Sequence, residues 1–250
     1  MSLELNWRGE PLPRGRHNLS QDTVRASQRA RLVRAMLECV GSAGYDATTV
    51  PEVVATARVS RNAFYEFFAD KTDCFLAACD EIGEELLGEL LELAGESDWV
   101  QAMREGAGRY LRWWQERPTI ASAYLVSLPM AGERALRQRE RQYAAFEAVF
   151  AALGARARAE QPELGPLSEL VPRMLVLAIT ELVAQEVRAG RTEELEQLSE
   201  ELALVAIRML ADDATAERVG RQGKARAKAR RASPVKPAGA RRAPSRRARS

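Results

Sequence analysis

The stretch TVPEVVATARVSRNAFYEFFADKTDCF, residues 49–75, decides the fold. It reads as a short helix, a tight turn, a second short helix and the start of a third. Thr49 and Glu52 have capping-box spacing, and Pro51 falls in the first turn, where a missing N–H costs little. Val50, Val53, Val54 and Ala57 give the first helix an apolar face. Ser60 suits the N-cap of the second helix and Asp70 that of the third. In the second helix, Val59, Phe64 and Phe68 are expected inward, and Arg61, Asn62, Ala63 and Tyr65 outward. Two short helices at a steep angle can present the second to the major groove of a DNA duplex.

Outward from this stretch, the residues resemble the DNA-binding domain of the tetracycline-repressor-like (TetR) regulators. The resemblance runs over residues 27–76. It rests on Arg29, Arg31, Leu32, Ala35 and Leu37, then Gly44-Tyr45, Thr49-Val50 and Val53, then Ala57, Val59-Ser60, Tyr65, Phe68, Lys71 and Phe75. It implies an all-α protein: a three-helix DNA-binding domain with a helix-turn-helix, followed by a larger helical ligand-binding and dimerisation domain. Two departures stand out. The family usually has Gly where this chain has Arg58, and often His where it has Phe67. An arginine in a left-handed turn position costs roughly 1 kcal/mol relative to glycine.

The resemblance also implies roles. Arg61 and Asn62 are the candidates for base edges, since Arg pairs bidentately with guanine and Asn with adenine. Thr49, Tyr65 and Lys71 are expected to position the protein on phosphates, with Ser60, Ala63 and Phe67 on the same DNA-binding surface. Arg25 and Arg29, at i and i+4 on the preceding helix, are further phosphate candidates. A solvated helix face is the alternative reading for those two.

Composition bounds the rest. The 250 residues are 46% hydrophobic, 29% charged and only 6% aromatic, a balance that favours packed helices. There is no run of eighteen apolar residues and no signal-peptide pattern, so a cytoplasmic, nucleoid-associated protein without a membrane segment is expected. Cys39, Cys74 and Cys79 lack metal-ligand spacing and are expected to be reduced thiols. The net charge of +2 hides a split. Residues 214–250 hold thirteen Lys or Arg and one acid, Glu217, a net +12, which leaves −10 on the remainder. Seven arginines between residues 8 and 34, against Glu10 and Asp22, concentrate positive charge near the N-terminus.

Four segments follow: an arm over 1–19, a helix-turn-helix domain over 20–70, a helical ligand-binding and dimerisation domain over 71–213, and a basic tail over 214–250. Helices are expected over 22–43, 71–94, 98–116, 132–158, 167–189 and 192–212, with a further element between Pro118 and Pro129. Met103, Tyr110, Trp113, Trp114, Tyr124, Phe146 and Met174 are candidates for lining a small-molecule pocket, and core packing is the competing reading for each. The 167–189 helix is apolar around most of its circumference, and the 192–212 helix shows a near-heptad seam. Leu170, Met174, Leu177, Leu195, Leu198, Leu202, Val205 and Met209 are therefore dimer-interface candidates. Burial within one subunit is the alternative.

The functional expectation is a ligand-responsive transcriptional regulator, a repressor that binds a palindromic operator as a homodimer and is released by a small, mainly apolar molecule. Its partners are double-stranded DNA, a second copy of itself and a small-molecule effector. A DNA-architectural protein, binding without sequence choice through the basic tail, is the alternative. Enzymatic activity is not expected. The one histidine, His17, falls in the arm, and no phosphate-binding loop, nucleophile elbow, cofactor motif or metal cluster is present in the sequence.

Overall fold

The computed structural model describes residues 21–93 and 98–211. The arm and the basic tail lie outside the described residues, as does His17. Every element among the described residues is helical.

The first helix, α1 (Gln21–Ala43), turns Leu32, Val33, Met36, Leu37 and Val40 inward. Gly44, at φ +86°, closes it in a conformation that glycine adopts without strain. Helix α2 (Val50–Ala57) starts on a complete capping box. The Thr49 N–H donates to the Glu52 carboxylate at 2.8 Å, and the Glu52 N–H donates to Thr49 Oγ1 at 3.5 Å. Helix α2 ends on Arg58, which takes the left-handed conformation, φ 52° and ψ 47°. Helix α3 (Arg61–Phe67) is capped by Ser60, whose Oγ accepts from the Ala63 N–H at 3.1 Å. Helix α4 (Lys71–Leu93) follows, with the Asp73 N–H donating to the Asp70 side chain at 2.7 Å. Phe64 and Phe68 anchor α3 in the core, as the sequence pattern expects. Cys74 and Cys79 on α4 are buried and Cys39 half-buried, all as free thiols.

The remaining helices are α5 (Trp99–Gln115), α6 (Pro118–Ala121), α7 (Glu133–Glu160), α8 (Leu170–Arg188) and α9 (Ser199–Leu210). Asp98 caps α5 through the Gln101 N–H at 2.9 Å. The element after Pro118 is not one helix. α6 passes into a π-helical turn over Ser122–Ser127 and a 3-10 turn over Leu128–Met130. Pro129 removes a backbone donor at its end, and the π turn turns Ala123, Tyr124 and Leu125 all inward.

The segment 192–212 is not one helix either: Thr192–Leu198 is 3-10 and only Ser199–Leu210 is α-helical. Three residues per turn in the first part shift its phase against the second, so the heptad seam does not continue. Leu195 and Leu202 both turn into the subunit's own core, which corrects their assignment to a dimer face.

The core runs continuously from α1 to α9. Helix α4 ties the helix-turn-helix to the larger helical part, and α1 packs on α6 and the π turn. Near the end of α1 the backbones approach closely: a Cβ at Gly41 would sit 2.1 Å from the Thr119 carbonyl oxygen on α6. No helix among the described residues is long and apolar enough to cross a membrane.

Candidate nucleic-acid interface and apolar cavity

Helix α3 has a buried side and an open side. Phe64 is fully enclosed, with the Tyr65 ring edge-on to it at 5.3 Å and Phe68 at 5.6 Å. Arg61 and Asn62 are exposed on the open side. The Arg61 guanidinium lies over the Tyr65 ring, 5.7 Å from its centre, and Tyr65 itself is half-exposed. Thr49 and Ser60 are exposed at the two helix starts, although both side chains are used as caps. Ala63 is buried, which corrects its assignment to the outward surface. Its position two residues past Arg61 carries it round the helix onto the Phe64 side.

The flanking cations are not freely solvated. Arg25 pairs with Glu66 at 3.1 Å and stacks over Phe67 at 5.2 Å. Arg29 pairs with Glu81 on α4 and lies over Phe68 at 5.7 Å. Lys71 donates to the Tyr45 carbonyl at 2.8 Å and sits 4.2 Å from the Tyr45 ring centre. Arg31 donates to the carbonyls of Ala57 and Arg58, both at 3.3 Å. Glu66 and Glu81 are not legible as partners in the sequence, because each lies more than forty positions from its arginine.

Behind this head, α4, α5, α7, α8 and the π turn enclose a cavity of about 90 Å³. Met103, Tyr110, Trp114, Tyr124 and Phe146 line it. Trp113 and Met174 do not, which corrects their assignment. Adjacent residues on a helix point about 100° apart. Trp113 therefore faces away from its neighbour's cavity and packs under the Arg117 guanidinium at 4.5 Å. Met174 is 53% exposed on the outer face of α8, while Val176, two residues on, lines the cavity. Sequence reading missed Leu86 and Leu90 of α4, Tyr143 and Phe150 of α7, and Thr180 of α8.

The cavity's polar groups are few. Burial pushes the Tyr110 phenol up to about 12, opposed by its polar neighbours Trp114 and Thr180. Burial also raises Tyr124 and Tyr143, in the latter against the opposing charge of Arg139. The Trp114 indole N–H is buried without a hydrogen bond of ordinary geometry. The Tyr124 hydroxyl donates to Gln142 Oε1 at 2.9 Å. The Gln142 amide in turn donates to the Cys79 carbonyl at 3.0 Å and to the Asp80 carboxylate at 3.2 Å, both on α4.

On the far side of α8, Leu170, Met174 and Leu177 are exposed; Leu182 of α8 and Val205 of α9 are exposed as well. Leu198 and Met209 are half-buried against the core. The spacing 170, 174, 177 is one helix face.

Residues 32–78 match the family model described as bacterial regulatory proteins, tetR family. No curated protein sequence matches the chain significantly. The fold is shared with solved structures of low sequence identity. One is the fatty acid degradation regulator FadR from Bacillus halodurans, 13% identical, covering 71% of this chain and 96% of its own, with a TM-score of 0.64. Another is FadR from Bacillus subtilis in complex with stearoyl-CoA, 13% identical over 72% of this chain and 97% of its own, with a TM-score of 0.66. A third is Salmonella enterica GusR, 19% identical over 78% and 99%, with a TM-score of 0.62.

Proposed function

We propose that this chain is a DNA-binding transcriptional regulator, an effector-released repressor acting as a homodimer, a reading supported by the match of residues 32–78 to the tetR family model. The carrying observation is the capped α3 helix, which holds Arg61 and Asn62 open to solvent on a fully enclosed Phe64 anchor. Two copies of α3 enter successive major grooves of a palindromic operator. Arg61 reads guanine and Asn62 reads adenine. Thr49, Ser60, Tyr65 and Lys71 set register on phosphates, and Arg25 and Arg29 exchange their surface carboxylates for phosphates. Exposed ion pairs contribute only about 0–1 kcal/mol, so a phosphate displaces Glu66 from Arg25 at little cost.

The dimer forms through the outer face of α8 with Val205 and Met209 of α9. Burying Leu170, Met174 and Leu177 against their copies supplies its driving force.

The effector is a mainly apolar molecule in the cavity. At about 90 Å³ the cavity is smaller than the 300–1,000 Å³ typical of ligand sites, so an occupant of ordinary size must move its walls. Leu86 and Leu90 put α4 in that wall, and Gln142 ties α4 to the hydroxyl of the wall residue Tyr124. A ligand that fits only the widened cavity favours one position of α4, and hence one spacing of the two α3 helices. That a structure of the same fold, from Bacillus subtilis, is in complex with stearoyl-CoA is in keeping with a mainly apolar effector.

Genome-wide mapping of bound sites tests this function. Discrete sites sharing an inverted repeat are expected. Even coverage of the chromosome would contradict it and favour sequence-blind binding.

A further inference from the structure

The cavity is not uniformly apolar: one corner collects hydroxyl groups beside a guanidinium. Tyr143 and Thr180 line that corner from α7 and α8, with Tyr110 on α5. Arg139 stands one turn before Tyr143, on the same face of α7 that carries Phe146 and Phe150 into the cavity. Its Nε donates to the Tyr143 hydroxyl at 2.7 Å, and its guanidinium lies over the ring at 4.8 Å. The phenol oxygen thus accepts from Arg139, which leaves its own proton to donate onward. Donation from a cation polarises that O–H and strengthens it as a donor.

Arg139 lacks a carboxylate of its own. Among the described residues no acid lies within ion-pair distance of it, whereas Arg109, Arg112 and Arg134 on the same domain are paired with Glu89, Glu196 and Asp70. Arg139 contributes to holding the Glu181 carboxylate below its usual range, but the first partner of Glu181 is Arg188, with Gln185 also donating to it. The outer nitrogens of Arg139 are therefore open to an anion, and planar guanidinium suits a carboxylate in bidentate geometry. The phenols of Tyr110 and Tyr143, both raised above their ordinary range by burial, remain protonated donors at neutral pH. Away from this corner the walls are hydrocarbon: Leu86, Leu90, Val149, Phe150, Leu153 and Leu202.

We infer that the cavity takes an amphiphilic monocarboxylate, its carboxylate held by Arg139, Tyr143 and Thr180 and its hydrocarbon part lying along Leu90, Phe150 and Leu153. The inference rests on the reading of this cavity as the effector site, and it adds the charge of the head group. Arg139 acts as counter-charge, the hydroxyls as orienting donors, and a neutral head of the same length forfeits the charge-assisted bonds.

The test is calorimetric binding of decanoate and palmitate, and of 1-decanol and 1-hexadecanol, below their aggregation limits, to the full-length protein and to Arg139→Gln and Tyr143→Phe. The carboxylates should bind about tenfold or more tighter than the matched alcohols, as expected for a hydrogen-bonded charge. Arg139→Gln should erase that preference and leave alcohol binding within about twofold, which also shows the cavity intact. Tyr143→Phe should reduce it in part. Equal affinity for acid and alcohol, or a preference that survives Arg139→Gln, overturns the carboxylate site while the effector cavity stands. Failure of all four probes to bind overturns both.

Discussion

The Arg31 guanidinium donates to the carbonyl oxygen of Arg58 at 3.3 Å, across the turn between the two reading helices. Arg58 is the one described non-glycine residue at positive φ, 52°. Its left-handed backbone would suit glycine better, and Arg31, by bonding its carbonyl and that of Ala57, offsets the strain.

Two substitutions separate these contributions. Arg58→Gly should stabilise the protein by about 0.5–1 kcal/mol, the steric relief exceeding glycine's extra freedom in the unfolded chain. Arg31→Ala should destabilise it by about 1–3 kcal/mol, because charge-assisted bonds to two turn carbonyls are lost. Urea denaturation reads both.

Arg61→Ala should cost about 1–3 kcal/mol in operator affinity and relax the preference at one base position per half-site. Asn62→Ala should relax a different position. Competition binding against operators varied base by base distinguishes the two. An Arg61→Ala protein with unchanged base preference would remove Arg61 from the reading surface.

Glu66→Gln should act in the opposite direction. It frees Arg25 from its 3.1 Å pair and leaves the guanidinium over Phe67. Affinity for all duplexes should rise, and the fall of log K with log salt should steepen by up to about 0.9. Titrations at several salt concentrations measure it.

Leu177→Glu places a charge in the middle of the exposed α8 face. It should split the dimer without unfolding the subunit, since Leu177 contributes little to the subunit's own core. Sedimentation velocity should show a monomer with unchanged helical circular dichroism. Operator affinity should fall steeply, because one reading head is left per particle.

Tyr124→Phe removes the bond from the cavity wall to Gln142. A half-buried amide loses one partner, at a cost of about 1 kcal/mol in stability. Operator binding without effector should change little, while release by a cavity-binding carboxylate should weaken, because Gln142 no longer couples Tyr124 to Cys79 on α4. Operator affinity with and without decanoate reads the coupling.

The helix-turn-helix was legible because its signals are local. The Thr49–Glu52 capping box, the Ser60 cap and the inward Phe64 and Phe68 each depend on neighbours within four residues. What escaped depends on distant partners. Arg25 and Arg29 read as open cations, and only folding brings Glu66 and Glu81 beside them. The aromatic stripe of α5 announced a buried face but not which side of it met the cavity, so Trp113 was grouped with Trp114. Leu195 and Leu202 fit a heptad on paper. The 3-10 turn over Thr192–Leu198 breaks that phase, and nothing in the local composition marks it. Thr180 and Arg139 gave no sequence signal, because a lone threonine and a helix-face arginine acquire meaning only beside Tyr143.

The most direct measurement is selection from a pool of random duplexes with the purified protein, followed by the mass of the complex on the selected sequence. Enrichment of an inverted repeat with half-sites about one helical turn apart, bound by an even number of subunits, is the predicted result. A pool that stays random, or a single half-site bound by one subunit, would contradict paired reading by Arg61 and Asn62.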